Sequence, residues 1–205
     1  MNVPEEELLL IFTRNPEPGK CKTRLAASIG DHAALKIYRF LLQHTASITQ
    51  ELRSAKRVCY FPSILENDIW DRRYYQKALQ KGSNLGQRME EAFEKGFADG
   101  YSRIIIIGSD MYDLDQSALE KAFQKLKKAD YVLGPASDGG YYLLGMKRLT
   151  PMVFKNKDWG SNSVLRDTLK DLHGKTVELL PVKNDVDVLD DINDHPVFRQ
   201  FIKKN

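Results

Sequence analysis

Short apolar runs alternate with segments of helical periodicity along most of the chain. Continuous apolar runs such as residues 7–13 (ELLLIFT) and 103–108 (RIIIIG) are typical of strands that are buried on both faces of a sheet. Between such runs, apolar residues recur at helical spacing. The predicted strands cover residues 7–13, 56–62, 74–79, 103–108, 131–135, 141–146 and 176–182, and the predicted helices cover 31–53, 83–100, 115–128, 161–173 and a short C-terminal segment.

This alternation predicts an α/β protein. We expect a three-layer α/β/α fold with a doubly wound, mostly parallel sheet, formed by a single domain over residues 1–205. Ligands of such sheets bind outside the carboxyl ends of the strands. The segments that directly follow strands are therefore the candidates for a functional site.

The composition and the charge distribution narrow the classes of partner. The chain of 205 residues is 42% hydrophobic and 29% charged, which is typical of a folded globule. Its formal net charge of +3 equals the balance of residues 14–26, where Arg14, Lys20, Lys22 and Arg24 outnumber Glu17. Nucleic-acid binding needs a basic face spread over several elements, so this concentration favours a small anionic ligand instead.

The cysteines and the N-terminus indicate the expected location. Cys21 and Cys59 lack the spacing of a zinc site or of a disulfide framework, which predicts free thiols. The N-terminal residues are acidic and contain only five consecutive apolar residues, too few for a secretory signal or a membrane span. We therefore expect a cytoplasmic protein.

The basic loop, residues 14–26 (RNPEPGKCKTRLA), follows the first predicted strand. Gly19 allows a tight turn whose backbone N–H groups could face an anion, while Lys20, Lys22 and Arg24 supply positive charge. It is not a P-loop, because Cys21 stands where that motif has Ser or Thr. The alternative is a solvated surface turn.

Acidic residues follow two other predicted strands. Asp110 ends GSD after the most hydrophobic strand, where it could bind a divalent metal or cap the next helix. Asp185 and Asp187 in NDVDVLDD would present both carboxylates on one side of an extended segment, or form a capping turn. Together with the basic loop, these residues predict a site for a metal ion and a phosphate.

A glycine turn follows the strand at 131–135. Asp138 could act as a base or orient an acceptor, and Gly139 and Gly140 would permit close backbone approach to a ligand. The alternative is an ordinary hairpin turn of the Asp-Gly type. The histidines lack metal-ligand spacing and are interpreted as structural or surface residues.

Six motifs in order resemble those of the GT-A, or nucleotide-diphospho-sugar transferase, superfamily. They are FTRNPEPGKCKTRLA, GSNLGQRMEEAF, IIIIGSDMYDLD, VLGPASDGGYYLLG, DWGSNSVL and DVDVLDDI. More narrowly, the chain resembles the bacterial GT-A-like transferases described as associated with radical-SAM and selenodomain proteins. The resemblance spans most of the chain and implies a GT-A type of sheet with a nucleotide bound across its N-terminal half.

The resemblance also implies roles for particular residues. The implied nucleotide and phosphate ligands are Arg14, Gly19, Lys20, Lys22, Thr23 and Arg24 in the basic loop, and Asn84, Gly86 and Arg88 near the base or ribose. The implied ligands of Mg²⁺ or Mn²⁺ are Asp110 and Asp187, with Asp185 as the alternative to Asp187. Asp138 would be the catalytic residue, with Gly139, Gly140 and Tyr141 at the acceptor.

Three functions follow from this resemblance. The first is transfer of a glycosyl group from a nucleotide sugar to a small acceptor. The second is nucleotidyl transfer from an NTP to a phosphorylated metabolite, because the basic loop also resembles the K-[ST]-R-L loop of phospholactate guanylyltransferases. The third is a nucleotide-binding module without catalysis. One fold can serve all three, so the fold does not choose between them.

Overall fold

The computed structural model describes residues 6–52, 55–65, 67–193 and 195–202, which form a central sheet with helices on both faces. The strands are β1 (Glu7–Phe12), β2 (Ala55–Phe61), β3 (Gln76–Leu79), β4 (Arg103–Ile107), β5 (Tyr131–Pro135), β6 (Tyr141–Met146) and β7 (Val177–Leu179). The α-helices are α1 (Thr23–Ile29), α2 (Asp31–Gln50), α3 (Leu85–Ala98), α4 (Gln116–Lys128), α5 (Val164–Asp171) and α6 (Leu189–Asn193), and 3₁₀ turns cover Pro151–Phe154 and Pro196–Phe201.

The sheet has the strand order β3-β2-β1-β4-β6-β5-β7. Strand β1 lies near the centre and pairs in parallel with β2 and β4, and the β2–β3 and β5–β7 pairs are also parallel. Strand β6 is antiparallel to both β4 and β5 because a tight turn joins β5 directly to β6. The predicted α/β fold with a mostly parallel sheet is confirmed, and the antiparallel strand makes the sheet mixed.

The two faces of the sheet explain the continuous apolar runs. Successive side chains of a strand point to opposite faces, so Leu9 and Ile11 pack with α2 and α4, whereas Leu8 and Leu10 pack with α3. A strand that is covered on both faces has no polar side. The carboxyl ends of β1 and β4 therefore emerge side by side from a fully buried core.

Several elements differ from their predicted bounds by one to three residues at an end, and three differences are more informative. Helix α1 was not predicted, because its seven residues overlap the charged residues 14–26 and are too few to show helical periodicity. Strand β7 is shorter than 176–182, since Pro181 lacks an N–H group for the ladder. Helix α5 begins only at Val164, because the residues before it form a turn. Within the described ranges, no helix has the length and apolar character needed to cross a membrane.

Candidate functional site

A pocket of about 250 Å³ opens at the carboxyl ends of β1 and β4. Phe12 and Gly108 line it from these strand ends, and Leu85 and Met89 line it from the start of α3. The β5–β6 turn and the segment before α5 complete the wall. The position agrees with the rule that open α/β sheets bind ligands beyond their carboxyl strand ends.

The basic loop begins α1 and turns one lysine inward. Gly19 and Lys22 both adopt a positive φ, +70° and +51°, and the Lys22 carbonyl accepts the first helical hydrogen bond from Ala26. The Lys22 side chain is only 5% exposed, and its Nζ lies 2.7 Å from Oδ2 of Asp110. The buried ammonium therefore joins the loop after β1 to the loop after β4.

The C-terminal acidic segment meets the same lysine. Oδ1 of Asp187 lies 3.7 Å from Nζ of Lys22, and its other oxygen contacts the Arg24 guanidinium. Asp110 and Asp187 therefore face one shared cation, the Lys22 ammonium, whereas the sequence predicted that they share a metal ion. In this arrangement, however, the partners of Asp187 are the two basic side chains.

The other predicted residues of the basic loop lie closer to solvent. Lys20 is exposed and pairs with Glu17 at 2.6 Å, and Thr23 is exposed at the start of α1. The residue Arg14 is exposed, but its backbone is fixed: its N–H donates to the Tyr38 hydroxyl at 2.9 Å, and that hydroxyl donates back to its carbonyl at 3.1 Å. Among the cations predicted to bind phosphate, Lys22 is thus the one that burial holds in a single place.

Tyr38 is a site-supporting residue that the sequence did not reveal. Its buried hydroxyl also lies 3.3 Å from Oγ of Ser109, so one side chain of α2 connects the ends of β1 and β4. Burial raises the pKa of Tyr38, which keeps the phenol neutral. In the sequence Tyr38 is one of many apolar positions on the buried face of α2, and nothing distinguishes its hydroxyl.

Three carboxylates line the pocket: Asp110, Asp138 and Asp185. Burial alone would raise the pKa of Asp110, but the positive charges of Lys22 and Arg14 outweigh it, and the pKa lies below its ordinary value. The pKa of Asp185 is raised, by burial first and then by the negative charges of Asp110 and Asp138. The pocket floor is therefore a concentration of negative charge.

The acidic segment is held in shape by Asp191. Its carboxylate accepts hydrogen bonds from the Asn184 side chain at 2.7 Å and from the backbone N–H groups of Asp187 and Val188 at 2.8 and 2.6 Å. These bonds bend the segment, so Asp185 faces the pocket while Asp187 faces Lys22. Asp191 was interpreted only as part of an acidic turn, and its positioning role is visible in the structure alone.

The β5–β6 turn places Asp138 at the pocket. The Gly140 N–H donates to Oδ1 of Asp138 at 2.8 Å, which closes the turn. A Cβ atom on Gly139, where φ is +90°, would lie 2.3 Å from the Asn162 carbonyl oxygen, and the Gly139 carbonyl accepts a hydrogen bond from Leu165. The turn is thus a hairpin, as the alternative interpretation held, and it is also packed tightly against the start of α5 beside the pocket.

The NLGQR segment forms the start of α3. Asn84 caps the helix by accepting a hydrogen bond from the Gln87 N–H at 3.0 Å, and Nε of Arg88 donates to the Gly82 carbonyl at 3.0 Å. A Cβ atom on Gly86 would lie 2.4 Å from the Phe154 carbonyl oxygen and 2.7 Å from Nε1 of Trp159. The contacts of Asn84 and Gly86 are therefore structural here, and their predicted contact with a nucleotide stays a prediction.

A divalent metal would need ligands from the substrate as well as from the protein. Within the described part of the chain, no three His, Cys, Asp or Glu side chains are grouped closely enough to hold an ion by themselves. Mg²⁺ is commonly bound by one or two carboxylates together with phosphate oxygens and water. Asp110 and Asp185 line one pocket, and the negative charge of Asp110 contributes to the raised pKa of Asp185, so this pair of carboxylates fits that pattern.

The sheet order and the charged strand ends define a protein with the fold of the nucleotide-diphospho-sugar transferases. The chain belongs to the family described as "uncharacterized protein conserved in bacteria" (DUF2064), which matches residues 44–161. That range contains Asp110 and Asp138, whereas the basic loop and the acidic segment lie outside it.

Comparison with solved structures extends the likeness to nearly the whole chain. A protein of Desulfovibrio desulfuricans G20, provisionally assigned as a nucleotide-diphospho-sugar transferase, is 33% identical, with a TM-score of 0.83 over 95% of this chain and 90% of that one. No curated protein sequence matches significantly.

More distant structures share the fold. CMP:2-keto-3-deoxy-manno-octonic acid synthetase complexed with CTP is 10% identical, with a TM-score of 0.56 over 95% of this chain and 98% of that one. Rv0371c of Mycobacterium tuberculosis H37Rv in complex with manganese is also 10% identical, with a TM-score of 0.54 over 98% and 100%.

Proposed function

We propose that this protein is a metal-dependent transferase that moves a glycosyl group from a nucleotide sugar to a small acceptor. The observation that carries the proposal is the position of Asp110, which is paired with the buried Lys22 of the basic loop and also lines the pocket. One carboxylate thus joins a cationic region suited to phosphates with a pocket suited to a second substrate.

Lys22 and Arg24 would bind the diphosphate of the donor. Both are now neutralised by carboxylates, Lys22 by Asp110 and Arg24 by Asp187. Phosphate oxygens are strong acceptors for ammonium and guanidinium groups, so a diphosphate would take over these contacts. When the bond between the sugar and the diphosphate breaks, the same cations would stabilise the charge that develops on the leaving nucleoside diphosphate.

We assign the metal, Mg²⁺ or Mn²⁺, to Asp110 and Asp185 rather than to Asp110 and Asp187. Asp185 lines the pocket beside Asp110, whereas Asp187 is engaged with Lys22 and Arg24. A divalent cation supplies positive charge next to the leaving diphosphate. It would also offset the repulsion that raises the pKa of Asp185.

Asp138 would accept the proton of the acceptor hydroxyl. The Gly140 N–H holds one of its oxygens in the turn, and the carboxylate lines the pocket. In this step the acceptor oxygen bonds to the sugar carbon, the bond from that carbon to the donor phosphate breaks, and the hydroxyl proton passes to Asp138. Tyr141, at the start of β6, lines the same pocket and packs edge-to-face on Trp159 at a ring-centroid distance of 6.4 Å.

Nucleotidyl transfer is the second candidate. The synthetase complexed with CTP shares this fold, and the same cations could hold a leaving pyrophosphate.

The cellular location and the association with other proteins stay predictions from the sequence. A cytoplasmic location agrees with the free, buried thiols Cys21 and Cys59. The association with radical-SAM and selenodomain proteins rests on sequence resemblance.

The released product separates the two reactions. We expect nucleoside diphosphate to be released when the protein is incubated with nucleotide sugars, Mg²⁺ and a pool of small acceptors, and we expect release to fall strongly in Asp138→Asn. Release of pyrophosphate from NTPs with the same pool would select nucleotidyl transfer. If neither product forms while nucleotides still bind, the protein is a binding module and the catalytic proposal is wrong.

A further inference from the structure

The charged residues that line the pocket are all acidic. Its apolar wall consists of side chains from the strand ends, α3 and the segment before α5, among them Phe12, Met89, Tyr141 and Trp159. The ionisable carboxylates are Asp110, Asp138 and Asp185. Among the described residues that line it, none is a lysine, an arginine or a histidine.

The nearest cations offset only part of this negative charge: Lys22 and Arg14 stabilise the ionised form of Asp110, and Lys22 also stabilises that of Asp185. Lys22 and Arg24 lie outside the lining and are paired with Asp110 and Asp187. In the proposed reaction they bind the donor phosphates, which bring further negative charge. A divalent ion on two of the three carboxylates would leave Asp138 without a cation, so an anionic group beside it would meet repulsion rather than a partner.

We infer that this pocket takes an acceptor that is neutral or positively charged, carries an apolar face, and bears no phosphate or carboxylate group. The apolar face would lie against Trp159 and Tyr141, whose aromatic surfaces also favour a cation. A hydroxyl or amine of the acceptor would point toward Asp138. This inference rests on the proposed function, and it excludes the phosphorylated metabolite that the nucleotidyltransferase alternative requires.

Trp159 provides a local reporter for the test. The chain has two tryptophans, and Trp70 is buried in the core at 2% exposure, away from the pocket. In Trp70→Phe the emission of Trp159 alone can be followed. If that variant does not fold, the difference between the wild type and Trp159→Leu gives the same signal.

The test titrates three probes that share an aromatic ring and differ in charge: benzyltrimethylammonium, benzyl alcohol and phenyl phosphate. Each titration contains a fixed concentration of inorganic phosphate to occupy the basic loop, and it is run with and without Mg²⁺. We expect the cation and the alcohol to change Trp159 emission saturably, and phenyl phosphate to bind at least about tenfold more weakly.

Two results would overturn the inference. The first is that phenyl phosphate binds as tightly as the other two probes. The second is that none of the three probes changes Trp159 emission saturably. Neither result bears on the donor, because nucleotide binding is measured separately by calorimetry on the same protein. Loss of nucleotide binding with intact probe binding would instead contradict the proposed function.

Discussion

The basic loop and the pocket share one carboxylate, Asp110, yet they differ in almost every other property. The loop is rich in cations, and three of them, Lys20, Lys22 and Arg24, are each paired with a carboxylate. The pocket has apolar walls and three carboxylates without a cation in its lining. Under the proposed function, this difference would separate the two substrates by charge: the loop would bind the anionic donor, and the pocket would bind an acceptor without negative charge.

A similar contrast exists within the loop itself. Lys20 and Lys22 are two positions apart, but Lys20 is 74% exposed beside Glu17 and Lys22 is 5% exposed beside Asp110. Exposed ion pairs are screened by water and contribute little, whereas a buried charge is fixed by its partner. The chain thus offers a matched pair of lysines for testing which position binds phosphate.

The largest effect is expected where the two regions meet. Asp110→Asn removes the carboxylate that both regions use, and we expect affinity for nucleotide in the presence of Mg²⁺ to fall about hundredfold. Isothermal titration calorimetry measures it. Asp113→Asn, three residues further on and paired with His195, is the control and should bind as the wild type does. Unchanged Mg²⁺-dependent binding in Asp110→Asn would refute the metal assignment.

The pocket wall should be sensitive to Gly139. In Gly139→Ala the new Cβ would meet the Asn162 backbone at a positive φ, so we expect the free energy of unfolding in urea to fall by about 2 kcal/mol. Gly174→Ala is the matched control, because φ there is +78° but no atom lies within 4 Å of the new Cβ. It should cost about 1 kcal/mol. Equal losses in the two variants would show that the turn is not held tightly against α5.

The two lysines should differ in nucleotide binding. We expect Lys22→Met to weaken nucleoside diphosphate binding about tenfold at low and at high salt, because a buried ammonium is screened less by water and salt than an exposed one. Lys20→Met should change affinity less than about twofold. Calorimetry at two salt concentrations tests both variants. The reverse order would move the phosphate site to the exposed side of the loop.

The smallest effect concerns stability in the pocket. Asp185→Asn removes a carboxylate that burial and its acidic neighbours disfavour, so we expect it to stabilise the protein by about 1 kcal/mol at neutral pH while it weakens Mg²⁺-dependent nucleotide binding. The pKa of Asp185 is higher in the folded protein than in the unfolded chain. Ionised Asp185 therefore destabilises the folded state fully at pH values above the folded-state pKa, and this effect disappears as the pH falls below the pKa of the unfolded chain. The stability difference between variant and wild type should shrink accordingly. A loss of stability in Asp185→Asn at neutral pH would contradict this account.

The sequence predicts the fold well because hydrophobic periodicity depends on local spacing. The positions of the strand ends follow directly from this spacing. Because these ends meet at one edge of the sheet, the proximity of Lys22, Asp110 and Asp187 follows as well. The choice between Asp185 and Asp187 did not follow, since an extended D-x-D would place both on one side, whereas the hydrogen bonds to Asp191 bend the segment. Such contacts between distant positions leave no periodic signal, and Tyr38 is hidden for the same reason.

The most direct test of the central claim is a calorimetric titration of the wild-type protein with nucleoside diphosphates, with and without Mg²⁺, followed by the same titration of Lys22→Met. We predict saturable binding that Mg²⁺ strengthens and that Lys22→Met weakens. Absence of binding by every nucleoside diphosphate under both conditions, or binding that is indifferent to both Mg²⁺ and Lys22, would contradict the assignment of this site to a nucleotide donor.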